Sequence, residues 1–374
     1  MIKIKQKNYN IVFMLSLVLI DLYIYLHSHL PSYFTVIIKL GIGICIIVLF
    51  SISLLRISTI HIISIKKLII VFILLFVISI GIIFKNTDLV GIGVISLLSL
   101  SLNDKDLIRM YLYALAVIFI INYFLSFIKI LPNFDLFGFG NKNAAGYFLC
   151  CFSFAILFIL KKHKILKNIL IGITTFFMWF ILNDRTIAIA LCVFLILFNT
   201  KSLFNKVIFK RSLIILPIIL TILSFYLAFK FKNDSYIINL INDILSNRVA
   251  IWNNIIQNYN VILLPQYIRS TAYIWTITTQ NILSLISYQG LDGFFIMSNY
   301  MYGIIIGGVY LIALTYMLYL LLKEPIRNHL ILCLSVCWIF IGFSETVVGY
   351  YYMSFLLPLA FNVIANSNVR DKNV

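Results

Sequence analysis

Leu68–Phe84 reads LIIVFILLFVISIGIIF, and Ser212–Phe229 reads SLIILPIILTILSFYLAF. Neither run carries a charge. A hydrocarbon core about 30 Å thick is crossed by about 20 helical residues, because each residue rises about 1.5 Å. The strands of a membrane barrel would instead alternate apolar and polar residues over short segments. These two stretches do not alternate, so they set the fold class as membrane-spanning helix.

The rest of the chain follows the same pattern. Of 374 residues, 63% are hydrophobic and 11% charged, and the mean hydropathy is +1.07. Soluble domains are closer to half apolar and one quarter charged. Apolar blocks predict about twelve transmembrane helices, near 10–26, 34–55, 68–84, 89–103, 110–128, 144–160, 168–182, 187–200, 212–229, 293–322, 330–343 and 348–365. The expected fold is an all-α integral membrane protein forming a single polytopic domain over residues 1–374.

A net charge of +17 raises the question of nucleic acid, and the placement of the charges answers it. With the N-terminus in the cytoplasm, twenty Lys and Arg residues fall on inner segments and eight on outer ones, with Lys39 inside a span. Basic residues concentrate in cytoplasmic loops. The excess is therefore a topology signal, with both termini cytoplasmic, and the partner it implies is the lipid bilayer rather than nucleic acid. The first span has a signal-peptide-like basic start, but no small-residue cleavage site follows it and Asp21 interrupts it, so it reads as a retained helix. All six cysteines lie in apolar spans, where they act as small hydrophobes and build no disulfide framework. His61, His163 and His329 lie in basic loops, and His27 and His29 suit a turn better than a metal site. No metal, nucleotide or cofactor motif occurs.

One connection is long. Residues 230–292 form a large external loop between the ninth and tenth spans, with amphipathic helices expected around Asn239–Tyr259 and Thr271–Ser287. Long connections in compact proteins usually carry function. Polar residues collect on this outer face: Asn141, Lys142 and Asn143, the Asn-Asp-Arg-Thr turn at 183–186, Arg248, Arg269, Asp292 and Glu345. Arginine forks match phosphate oxygens, and a nearby carboxylate supplies a general base. The plainer roles for the same residues are a turn ion pair between Asp184 and Arg185, a snorkelling Lys142, and pairing of Glu345 with a loop arginine. Gly303 and Gly307 read as a helix-packing face.

The order of these elements resembles a family. Gly-Phe-Gly-Asn-Lys-Asn-Ala-Ala-Gly (138–146) leads into a span and Asn-Asp-Arg-Thr-Ile-Ala (183–188) opens another. Asn-Arg-Val-Ala-Ile-Trp (247–252) lies in the large loop, and Asp-Gly-Phe-Phe (292–295) precedes Gly-Ile-Ile-Ile-Gly-Gly (303–308). Over roughly residues 130–350 this is similar to the O-antigen ligase/polymerase superfamily, specifically the Wzy-type polysaccharide polymerases. Asp292 stands where the ligases usually carry a histidine, which favours polymerase, and Asp184 replaces a serine of the family pattern.

The resemblance implies a membrane-embedded glycosyltransferase of GT-C-like architecture in the bacterial plasma membrane, inverting and metal-independent, with no cofactor. Its substrate would be undecaprenyl-pyrophosphate-linked oligosaccharide, joined into O-antigen, capsule or exopolysaccharide. Arg185, Arg248, Arg269 and Lys142 would bind pyrophosphate, Asn141 and Asn143 the substrate, and Asp292, with Glu345 in reserve, would be the base. A chain-length regulator and a flippase are the implied partners. The alternatives are a lipid-linked oligosaccharide flippase, which should carry several charges inside its spans, and an O-antigen ligase.

Overall fold

The computed structural model describes the chain except for residues 1–5, 27–31, 60–64, 130, 132–135, 140–141, 161–162, 232–235, 267–271, 276–284, 289–291 and 368–374. The described residues are almost wholly helical. The first half holds α1 (Gln6–Leu26), α2 (Ser32–Thr59), α3 (Ile65–Ile83), α4 (Thr87–Ser99), α5 (Asp104–Phe127), α6 (Lys142–Ile159), α7 (Lys164–Phe177) and α8 (Arg185–Asn199). The second half holds α9 (Val207–Lys230), α10 (Tyr236–Ile244), α11 (Arg248–Asn258), α12 (Phe294–Met301), α13 (Gly303–Leu321), α14 (His329–Ser344) and α15 (Leu356–Ala365).

Among the described residues, seven helical stretches are long and apolar enough to cross a membrane: Gln6–Ile24, Ile65–Ile83, Asp104–Phe127, Lys142–Ile159, Lys164–Leu182, Val207–Lys230 and Gly303–Leu321. The other expected spans correspond to shorter apolar helices of 10–17 residues, Val36–Leu49, Thr87–Ser99, Arg185–Asn199, His329–Ser344 and Leu356–Ala365. The outer helices turn large apolar side chains outward, including Phe72, Ile83, Ile208 and Ile312, each more than 60% exposed. Water would penalise so continuous an apolar surface and lipid does not. The protein is a multi-pass membrane protein of the all-α class.

Helix α14 is the axis of the packing. Its residues Ile331–Ile339 are all buried, and it packs along α8. Trp338 on α14 donates to the Tyr147 hydroxyl at 3.2 Å, and Tyr147 donates to the Met353 carbonyl at 2.5 Å. These bonds tie α6, α14 and the segment before α15 together and hold the outgoing end of α14 in register. Around this axis α1 packs on α2 and α5, α3 on α4, and α13 on α9 and α15.

Three local readings are corrected. The span expected over 293–322 is broken at Tyr302, because Gly303 has φ +80° and the chain at Leu263–Leu264 crosses directly beside it. Gly303 is thus a break between helices, while Gly307 does pack closely, against the backbone of Ser298. The span expected over 348–365 is helical only from Leu356, after a 3-10 turn at Thr346–Gly349. Within the stretch expected as an amphipathic helix, Thr271–Ser287, the described residues are strands instead: Ala272–Trp275 (β1) and Leu285–Tyr288 (β2) pair as an antiparallel ladder. Sequences rich in Tyr, Ile and Trp favour strands over a short helix. The six cysteines are free, five of them buried and Cys192 exposed.

Candidate functional site

Four segments far apart in sequence meet at one end of α8 and α14. The first is the turn after α7. That helix finishes in a π-helical segment, Met178–Leu182, and Asn183 then takes a left-handed conformation with φ 56°. This sharp reversal aims Asp184 inward, where its carboxylate accepts from the Ile187 amide at 3.3 Å and caps α8. The N-cap bond satisfies one of the four amides that a helix start leaves open. Thr186 donates to Asp184 Oδ1 at 3.1 Å. Gly146 on α6 leaves the space: a Cβ there would lie 2.5 Å from Asp184 Oδ2.

Arg248 opens α11 from the loop. Asn242, at the end of α10, accepts from the Ala250 amide at 3.0 Å and so caps α11 from the preceding helix. Arg248 is 1% exposed. Its guanidinium pairs directly with Glu345 Oε1, lies 3.8 Å from Asp292 Oδ2, and donates to the Leu245 carbonyl at 3.1 Å. Glu345 is delivered by the end of α14, where it is the C-cap residue. Asp292 is placed by Trp252 of α11, whose indole N–H donates to the Asp292 carbonyl at 2.6 Å. The next residue must be glycine. Gly293 has φ +91°, and a Cβ would meet the Trp252 ring at 2.8 Å.

One cation therefore faces three carboxylates: Asp184, Asp292 and Glu345. Fully ionised, the cluster would carry a net charge of −2 in a buried place, and burial disfavours charge. Burial raises the Glu345 carboxyl to about 8; Arg248 opposes the shift, while Asp184 and Asp292 add to it. Burial also raises Asp184 to about 6 against the pull of Arg248 and the bonds from Ile187 and Thr186. Asp292 is raised by burial against the same arginine. Burial thus pushes all three carboxyls of the cluster upward, the direction that suits acid–base work near neutral pH. Asp292 is its most open member, with 15% of the side chain exposed against 7% for Glu345.

The other expected site residues divide. Lys142, at the start of α6, is exposed and stands one turn before Gly146, and Asn143 is half-buried beside it. Arg185 is half-buried, with its Nε donating to Asn183 Oδ1 at 3.3 Å. The turn ion pair between Asp184 and Arg185 is not formed among the described residues; Asp184 turns into the cluster instead. Asn141 and Arg269 lie outside the described residues. Sequence reasoning missed Asp184, Thr186, Trp252 and Gly293 as parts of one site. The signal available for Asp184 was an aspartate before an apolar helical run; Thr186, Trp252 and Gly293 each stand in one of the quoted motifs, which by themselves gave them no role. Among the described residues no group of three metal-ligating side chains could hold an ion.

No family model, curated protein or solved structure matches this chain.

Proposed function

We propose that the protein is a polysaccharide polymerase that joins undecaprenyl-pyrophosphate-linked oligosaccharide units at the outer face of a bacterial plasma membrane. The observation that carries this reading is the cluster of Arg248, Asp292, Glu345 and Asp184. Three of the four short motifs on which the family resemblance rests contribute to it, although they are separated by 44 or more residues. In this reading twelve helical segments cross or enter the bilayer in a GT-C-like arrangement, with residues 230–292 external.

The chemistry follows from exposure. Asp292, the open carboxylate, takes the proton of the acceptor sugar hydroxyl as that oxygen attacks the anomeric carbon. The bond from the anomeric carbon to the pyrophosphate oxygen breaks, and the pyrophosphate leaves on its lipid with the bonding electrons. Arg248 is too enclosed to meet the lipid and acts as a positioning residue, orienting Asp292 and Glu345. Arg185, next to Asp184 in the chain, and the exposed Lys142, one turn before Gly146, take the charge of the leaving pyrophosphate. The isoprenoid tail lies against the apolar outer helices.

The test is Asp292→Asn, which keeps shape and hydrogen bonding and removes the base. Transfer falls by roughly 10²–10⁴-fold with protein level unchanged, and single units accumulate on the lipid carrier at the outer face. Long polymer made by this variant removes Asp292 from catalysis. Lipid-linked units trapped on the inner leaflet of a deletion strain replace the polymerase with a flippase.

A further inference from the structure

The end of the bundle opposite the carboxylate cluster carries a second built feature. Helix α14 runs from His329 to Ser344, so its start lies roughly 24 Å from Glu345 at 1.5 Å per residue. Beside that start is a cavity of about 450 Å³, lined by Lys105, Arg109, Lys164, Lys167, Lys201 and Arg327. These six cations come from four separate parts of the fold: the start of α5, the start of α7, the turn after α8, and the α13–α14 connection. Among the described residues no acidic one lines this cavity, while Asp104 and Asp106 line an adjoining recess that shares Lys105, Arg109 and Arg327. Two of the lining cations are ion-paired: Arg109 lies 3.6 Å from Asp106, and Arg327 lies 3.0 Å from Glu324. Lys164 and Lys201, both exposed at the mouth, add charge beyond these pairs. A further sign is the Arg109 Nε, which is buried with no partner among the described residues.

Apart from His329, the remaining wall is apolar, with Phe158, Phe198, Ile326 and Leu330. Phe158 lies under the Arg109 guanidinium at 5.3 Å. A site for a small soluble anion needs no such wall. Cations above an apolar face at a helix end match a molecule with an anionic head and a hydrocarbon tail, and basic recesses between membrane helices hold lipid headgroups in this way. We infer that this cavity is a binding site for the phosphate of an anionic phospholipid, separate from the carboxylate cluster and independent of what that cluster does. The positive-inside bias places it at the inner leaflet. The shared chemistry is a phosphate oxyanion, and the lipid and soluble sources are separated by experiment.

The full-length protein in a neutral detergent is titrated with short-chain phosphatidylglycerol, short-chain phosphatidylcholine and inorganic pyrophosphate, and binding is read from the rise in the thermal midpoint. Phosphatidylglycerol binds best, and salt weakens it. Each cation near an anionic lipid surface is worth a factor of about five, so Lys164→Ala with Lys201→Ala weakens phosphatidylglycerol about thirtyfold. Both lysines are exposed, so the double variant folds. Lys164→Arg with Lys201→Arg keeps the affinity. Lys85→Ala with Lys230→Ala, at the other end of the bundle, changes it less than twofold. Equal binding of the two phospholipids, unchanged affinity in the Lys164/Lys201 alanine variant, or binding of pyrophosphate without phosphatidylglycerol would each overturn the inference.

Discussion

Replacing Arg248 by methionine removes the cation of the carboxylate cluster while keeping most of its volume. The guanidinium is 1% exposed and serves Glu345, Asp292 and the Leu245 carbonyl. Removing one partner of a buried ion pair costs about 3–5 kcal/mol, and an orphaned carbonyl adds about 1 kcal/mol. Two carboxylates lose their cation here, so the loss falls at the upper end, about 5 kcal/mol. That is comparable to the whole stability of many proteins, about 5–15 kcal/mol. The pH dependence has a definite sign. Loss of Arg248 removes the influence that lowers Glu345, Asp184 and Asp292, whose folded values already lie above the ordinary carboxylate range. A carboxylate with a raised folded value costs stability as pH rises from its unfolded value toward the folded one, by about 1.4 kcal/mol per pH unit for each extra proton the folded state holds. The deficit of Arg248→Met is therefore largest at pH 8 and shrinks toward pH 5 as the orphaned carboxylates take up protons. Adding Glu345→Gln recovers part of it, because one uncompensated charge is gone. Unfolding in detergent, followed by tryptophan fluorescence across this pH range, measures all three. A single variant within about 1 kcal/mol of the parent at pH 8, or a deficit that grows on acidification, refutes the account of the cluster.

Gly146→Ala places a methyl 2.5 Å from Asp184 Oδ2; Asp184 must swing away, losing the cap on α8, for a cost of about 1–3 kcal/mol in unfolding. An alanine variant as stable as the parent shows that Asp184 is not held by that close approach. For topology, cysteines introduced at Ser246 and Lys164 on a Cys192→Ser background label oppositely with an impermeant thiol reagent in intact cells, position 246 reacting and position 164 protected. The reverse pattern inverts the membrane orientation and moves the cluster to the inner face.

The helices themselves are legible in the sequence. Runs such as Leu68–Phe84 contain nothing that could satisfy water, and a chain with so little charge has only lipid in which to place them. Their ends are read to within a few residues wherever a polar residue interrupts the run. The breaks at Tyr302 and before Leu356 are not read, because both interrupted stretches stay apolar. What ends the helix there is contact: the chain at Leu263–Leu264 crowds Gly303, and the Tyr350–Ser354 segment carries the carbonyl that receives Tyr147.

The site divides in the same way. Asp292, Glu345, Arg248 and Arg185 stand out by themselves, since charge at the edge of apolar runs is costly and rarely idle. Their relationship does not stand out. Arg248 read alone is a phosphate ligand, whereas packed between Glu345 and Asp292 it is an internal counter-ion. Asp184 read alone is half of a turn pair, whereas the left-handed Asn183 and the gap at Gly146 turn it into the cluster. The sequence by itself determined the membrane class, the helices and the residue types available at their ends, because hydrophobicity acts locally and sums along the chain. Only the tertiary structure decided which of those charges meet, because a buried ion pair depends on distances between segments 44 to 161 residues apart.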